Sequence, residues 1–224
     1  MNRRAALRLT AGLIAAAWTG AIRASAAPAN AAPANAAPPN MDEAAIRKLF
    51  DGMRAAAARG DGKGLLAGLS GPSLARLEAV RASARRLGGG GGAAKGLSPA
   101  ERLAAGGLRR IAAPADLNRK GLDEMASAAL ARRKGLRRDL DRMQVGPLRV
   151  DGERASAPLL ADGQATLFTA DFVRDSGAWK LDLRPNVKRG DLILAGMAAV
   201  KGVSEDALID AILAQVESRM RTAG

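Results

Sequence analysis

Two features of this chain have residue types and spacing that could do chemistry: an aspartate set between phenylalanines, and a run of alternating charges. Asp171 lies between Phe168 and Phe172 in a segment whose period-two pattern puts it on the face opposite both rings. A carboxyl buried there would have its pKa raised and could act as a pocket base. The plainer expectation is an exposed sheet residue paired with Lys180 or Arg184 on a neighbouring strand. Lys180, Asp182 and Arg184 alternate on the next segment. If their face lines a cavity they could hold an anionic ligand; otherwise they form a solvated sheet face. Arg132, Arg133, Lys134, Arg137 and Arg138, with Arg142 beyond them, make the densest basic cluster, interrupted by Asp139 and Asp141. A solvated surface is the first expectation for it and contact with an anionic membrane the second. It has no interleaved aromatics for base stacking, so nucleic acid is not an expected partner.

Missing residue types narrow the chemistry further. The chain has no His, Cys or Tyr. Without His there is no imidazole general base, no Ser-His-Asp triad and no imidazole metal ligand. Without Cys there is no thiol nucleophile, thiolate zinc site, iron–sulfur cluster or disulfide, and no cysteine to carry a lipoprotein's lipid. No metal site and no cofactor is expected. Aromatic content is 2%, so the core must be built from Leu, Ile, Val, Ala and Met.

The formal net charge is +13, from 35 basic and 22 acidic residues. Most of the basic residues are arginine, as codon usage in a GC-rich genome would give. The alternative is attraction to an acidic partner such as anionic lipid or a cell-surface polymer.

The N-terminus has the three parts of an export signal. Arg3, Arg4 and Arg8 form a basic region, an apolar stretch spans 9–22, and Ala24-Ser25-Ala26 offers a small-x-small cleavage site. The apolar stretch falls short of the roughly 20 residues of a spanning helix. Residues 1–26 are therefore expected to be a signal peptide cleaved after Ala26, which places the protein in the periplasm or outside the cell. Arg3-Arg4 with Leu7 resembles a twin-arginine signal, although Ala6 stands where an aromatic is usual; the twin-arginine and general secretory routes both stay open. Residues 26–40 are three copies of an Ala-Ala-Pro-Ala/Pro-Asn pentapeptide, so 27–40 reads as an uncharged, extended, disordered linker.

A single α+β domain is expected over 41–224. Asn40 and Glu43 open a helix over 41–58 with Ile46, Leu49, Phe50 and Met53 as its stripe, and Gly60-Asp61-Gly62 ends it. Leu74, Leu77 and Val80 predict a helix over 73–87, followed by a glycine loop at 88–92. Ser98-Pro99-Ala100-Glu101 starts a helix over 99–112, and Leu122, Met125 and Leu130 suggest another over 117–135. Turn signals at Asp151-Gly152, Asp162-Gly163 and Asp175-Ser176-Gly177 then bound four strands, at 143–150, 154–160, 164–174 and 178–184. Phe168, Ala170 and Phe172 share one face, as do Trp179, Leu181 and Leu183. Ser204 opens a final helix to Arg221, and 187–201 stays open, with room for one more helix.

Helices first, then a meander whose last strand reads Gly-Ala-Trp-Lys-Leu-Asp-Leu at 177–183, resembles the NTF2-like (SnoaL-like) superfamily over roughly 41–184. The helix after the sheet and the number of helices before it exceed that family's usual pattern. The resemblance implies N-terminal helices packed on a curved four-stranded antiparallel meander, a cone enclosing a pocket, with the C-terminal helix added. It also implies that dimerisation through the sheet is open to the chain. Enzymes of the superfamily usually work with His, Tyr or Asp, and two of those types are absent here. The leading expectation is an exported envelope protein that binds another envelope protein or a small ligand. A pocket enzyme using Asp171 or Asp182 as base comes second. A periplasmic carrier of lipid or another apolar ligand, resembling the basic, exported phospholipid-binding proteins, comes third.

Overall fold

The computed structural model describes residues 41–86, 96–132 and 134–222. The expected signal peptide over 1–26, the linker over 27–40 and the glycine loop at 88–92 lie outside the described residues. Among the described residues seven helices precede the sheet: α1 (Met41–Arg59), α2 (Gly62–Ala67), α3 (Gly71–Arg86), α4 (Pro99–Ile111), α5 (Pro114–Arg119), α6 (Leu122–Arg132) and α7 (Lys134–Asp141). The strands are β1 (Met143–Val145), β2 (Arg149–Asp151), β3 (Arg154–Ala161), β4 (Gln164–Asp175) and β5 (Ala178–Leu181). Two helices follow, α8 (Arg184–Lys201) and α9 (Glu205–Thr222).

The sheet is antiparallel throughout and runs β1-β3-β4-β5, with β2 also on β3. Its hairpins form where the sequence places turn residues. Asp162-Gly163 and Ser176-Gly177 both take positive φ, the backbone twist that tight antiparallel connections need. Expected strand 143–150 is in fact two strands, because Pro147 falls in its middle and cannot donate to a ladder. Opposite the break β3 is itself irregular between Pro158 and Leu160, and Gly146 donates to the Pro158 carbonyl at 2.9 Å. At the far edge Leu69 bridges Leu181, with Ser70 N to Leu181 O at 2.9 Å and Leu181 N to Gly68 O at 2.8 Å, so the exposed edge of β5 is covered.

The main core lies between one sheet face and the first helices. Ile46, Phe50 and Met53 of α1 and Leu65 and Leu66 of α2 meet Ala155, Leu159, Phe168, Ala170, Phe172, Trp179 and Leu181. The expected stripes of β4 and β5 are the ones buried. Helix α2 was hidden by the glycines read as a stop. Asp61 caps it by accepting from Gly64 N at 2.8 Å. A Cβ on Gly62 would stand 2.3 Å from the Asp123 carbonyl oxygen, so only glycine lets α2 approach α6 that closely.

The helix expected over 117–135 is replaced by α5, α6 and α7. Leu117 packs in a second cluster with Val80, Ala84, Ala104 and Ala105, whereas Ala126 and Leu130 face the main core. Met125 of α6 also packs against the second cluster, so that helix touches both. Between α5 and α6 the chain leaves helical geometry at Lys120, ψ 139, and Glu124 accepts from Gly121 N at 2.9 Å to start α6. A third cluster joins α4, α8 and α9 through Leu194, Ala198 and Leu208, with Ala100, Leu103 and Ile212 packed against it. Ser204 caps α9 by accepting from Ala207 N at 3.1 Å, as its sequence suggests. The segment 187–201, left open by the sequence, is helical from Arg184.

Candidate functional site

Asp171 and its neighbours lie where α8 crosses β4. Helix α8 packs on the face of β4 that points away from the main core. There Asn186 is buried, and its Nδ2 donates to the Thr169 carbonyl at 2.7 Å. Arg189 donates to the Leu167 carbonyl at 3.0 Å and to Thr169 Oγ1 at 3.4 Å. Asp171 sits in this layer with its carboxyl 2.5 Å from Thr169 Oγ1, which donates to it. Burial pushes the Asp171 pKa above the ordinary carboxylate value, and the neighbouring Asp182 charge adds to that. The Thr169 hydroxyl and the Arg189 charge oppose it. The expectation that Asp171 pairs with Lys180 or Arg184 is therefore corrected. Its electrostatic partner comes from α8, because that helix roofs the outer face of β4. Asn186 Oδ1 is buried without a hydrogen-bond partner among the described residues.

Lys180, Asp182 and Arg184 do not form one ligand-holding face. Strand β5 ends at Leu181, and the chain turns so that Asp182 is buried at 3% exposure. Its carboxylate accepts from Ser73 Oγ at 3.1 Å and from Arg184 N at 3.1 Å. It also accepts from the Arg184 guanidinium, at 2.9 Å from Nε and 2.8 Å from Nη2. Burial raises the Asp182 pKa. The hydrogen bonds and charge of Arg184, with the Ser73 hydroxyl, lower it by more, so it stays below the usual carboxylate range. Ser73 in turn accepts from Leu183 N at 2.9 Å. This knot joins α3 to the strand-to-helix turn. Lys180 reaches elsewhere, donating to the Ala67 carbonyl at 2.6 Å. Arg184 is the first residue of α8 rather than the last of a strand.

The basic cluster divides between α6 and α7. Arg132 is paired with Asp116 at 3.7 Å, while Arg137 and Arg138 are in no ion pair among the described residues. Arg133 lies outside the described residues, and Lys134 begins α7.

The feature missed in the sequence is the outer face of α8. The nine residues 192–200 contain no charge and no polar side chain. One face of the helix buries Leu194 and Ala198 against α4 and α9. Asp191 tethers it there by accepting from Ala100 N at 2.8 Å. The opposite face leaves Leu192 74% exposed and Val200 89% exposed, with Met197 and, just past the helix, Val203 also open. Leu192, Ile193, Gly196, Met197, Val200 and Lys201 line a shallow hollow of about 360 Å³. A helical run apolar on every side is ordinarily buried on every side, and the outer face of 192–200 is covered by nothing among the described residues. The signal was the unbroken apolar run, which has no amphipathic period to say which side is covered.

No helix among the described residues is long and apolar enough to cross a membrane. No protein-family model, curated protein or solved structure matches the chain.

Proposed function

We propose that this chain is an exported binding protein of the cell envelope and that it engages its partner through the outward stripe of α8. The stripe carries the reading: Leu192 and Val200 are large apolar side chains held open on a helix whose opposite face is fully packed. Exposed apolar surface of that kind marks an interaction site. The export-type N-terminus supports the compartment, and the Ala/Pro/Asn repeats suit a tether between leader and domain. The finer architecture we infer is the NTF2-like cone, supported by the order of helices and meander and by the 177–183 strand. Asp171 has in this reading a structural place beneath α8 rather than a catalytic one, since Asn186 and Arg189 cross the strand beside it.

The test is residue-specific photocrosslinking in cells that express the chain with its own leader. A photoreactive residue at Val200 should give adducts in the extracytoplasmic fraction, and one at Ala55, on the exposed face of α1, should not. Retention of the uncleaved leader in the cytosol would defeat the compartment. Absence of adducts from Val200 would defeat the binding surface.

A further inference from the structure

We propose, resting on that reading, that the partner of the α8 stripe is an anionic lipid surface, with the helix lying in the plane of the head groups. The argument is the pairing of apolar and basic positions on one exposed arc. At 100° per residue Lys188, Leu192, Gly196, Ala199 and Val200 fall within an arc about 120° wide, and 188–200 spans about 18 Å along the axis. All five are exposed. Lys201 is exposed at the end of the helix, and neither lysine is in an ion pair among the described residues.

The acid count on the helix points the same way. Arg184 is held by Asp182 and Arg189 is turned onto β4, which leaves Lys188 and Lys201 outward, and the one acid of the helix, Asp191, is turned inward to Ala100 N. The next acids, Glu205 and Asp206, lie in the first turn of α9, and Asp206 is engaged by Arg102. An apolar stripe with cations at both ends matches the boundary between acyl chains and negatively charged head groups. The same charge opposes a second copy of this chain, since the +13 of the full sequence stays strongly positive after loss of the four leader arginines, Arg3, Arg4, Arg8 and Arg23, and pairing would bring lysines against lysines. It also opposes a basic protein partner. A flat helix face offers no tunnel for a single extracted lipid, so the contact is with a surface.

The chain contains no cysteine, so Ala199→Cys provides a unique site for an environment-sensitive fluorophore. The chain is used as the exporting cell delivers it, and Ala55→Cys serves as the control position. On phosphatidylglycerol-containing vesicles the label at 199 should shift to the blue while the label at 55 stays unchanged. Pure phosphatidylcholine vesicles should give a much smaller shift. Lys188→Glu with Lys201→Glu keeps the apolar stripe and should weaken binding at least tenfold, since each lysine near an anionic surface contributes about fivefold. Leu192→Asp with Val200→Asp should abolish the shift with the helical spectrum unchanged.

Failure to shift at 199 on the phosphatidylglycerol vesicles overturns the proposal, as does an equal shift on both. A shift at 199 that follows protein concentration without lipid, with a doubled native mass, assigns the stripe to a second copy and also overturns it. A protein adduct from Val200 in cells without a lipid-induced shift would remove the lipid assignment and leave the binding surface standing.

Discussion

Removing the Asp182 carboxylate should loosen the junction between α3, β5 and α8, and the structure sets the size of the effect. Asp182→Ala takes the acceptor from the Ser73 hydroxyl and from Arg184 N–H, both at 3.1 Å. Ser73 is buried at 1% exposure, but its hydroxyl can turn to Ser70 Oγ at 2.8 Å, so the loss sits at the low end of the about 1–3 kcal/mol of an unmet buried donor. The Arg184 side chain is 44% exposed and returns to water, so its ion pair adds no more than the roughly 0.2–1 kcal/mol of a surface pair. The sum is about 2 kcal/mol, or about 4–8 °C in melting temperature for a domain of this size. Asp182→Asn keeps an acceptor for Ser73 and loses only the charge, so it should cost about 1 kcal/mol. Because the folded state holds the Asp182 pKa below its ordinary value, the stabilisation is present above pH about 4. It fades as pH falls through the lowered folded value. Thermal melts followed by circular dichroism at neutral and acidic pH measure both effects. An Asp182→Ala melt within about 2 °C of wild type, or an Asn deficit that persists unchanged in acid, would refute the reasoning.

Other consequences run in different directions. Asp171→Asn should raise the melting temperature at pH 7, because a carboxyl whose pKa is raised by burial loses stability as pH rises through that value. The gain should vanish in acid, where both side chains are neutral, and a lower melting temperature at pH 7 would contradict it. Trp179 is buried, donates to Asp42 at 3.0 Å and lies under the Arg174 guanidinium at 4.9 Å. Its replacement by Ala should cost about 3–5 kcal/mol in chemical denaturation; an unchanged midpoint would show it is not core. Gly62→Ala should cost about 2–3 kcal/mol by forcing α2 away from the α6 backbone, again read from a denaturation midpoint. Leu192→Asp with Val200→Asp should move stability by less than about 1 kcal/mol, as the fold makes no use of either side chain. A large loss on denaturation would return the stripe to the core.

The parts of the fold that could be read from the sequence are those with local signals. Helices α1, α3, α4 and α9 have stripes and caps, and the hairpins have glycine turns. The buried faces of β4 and β5 follow from alternation alone. What failed depended on contacts distant in sequence. The alternation of Lys180, Asp182 and Arg184 continues past the end of β5, and nothing local shows that Ser73 captures Asp182 from 109 positions away. The break between α5 and α6 has no proline to mark it, and Leu117 before it packs in one core while Ala126 and Leu130 after it pack in the other. Asp171 could be singled out, but its roof comes from Asn186 and Arg189 on a helix with no amphipathic period. The same lack of period concealed the exposed side of α8.

The central claim, that the outer face of α8 is covered in the cell envelope, is tested most directly by thiol accessibility. Ala199→Cys and Ala55→Cys are exposed to a water-soluble maleimide in intact envelopes and in the purified chain. The account predicts that both positions react at similar rates when purified, and that position 199 alone slows at least tenfold in the envelope. Equal reactivity of both positions in the envelope would contradict it.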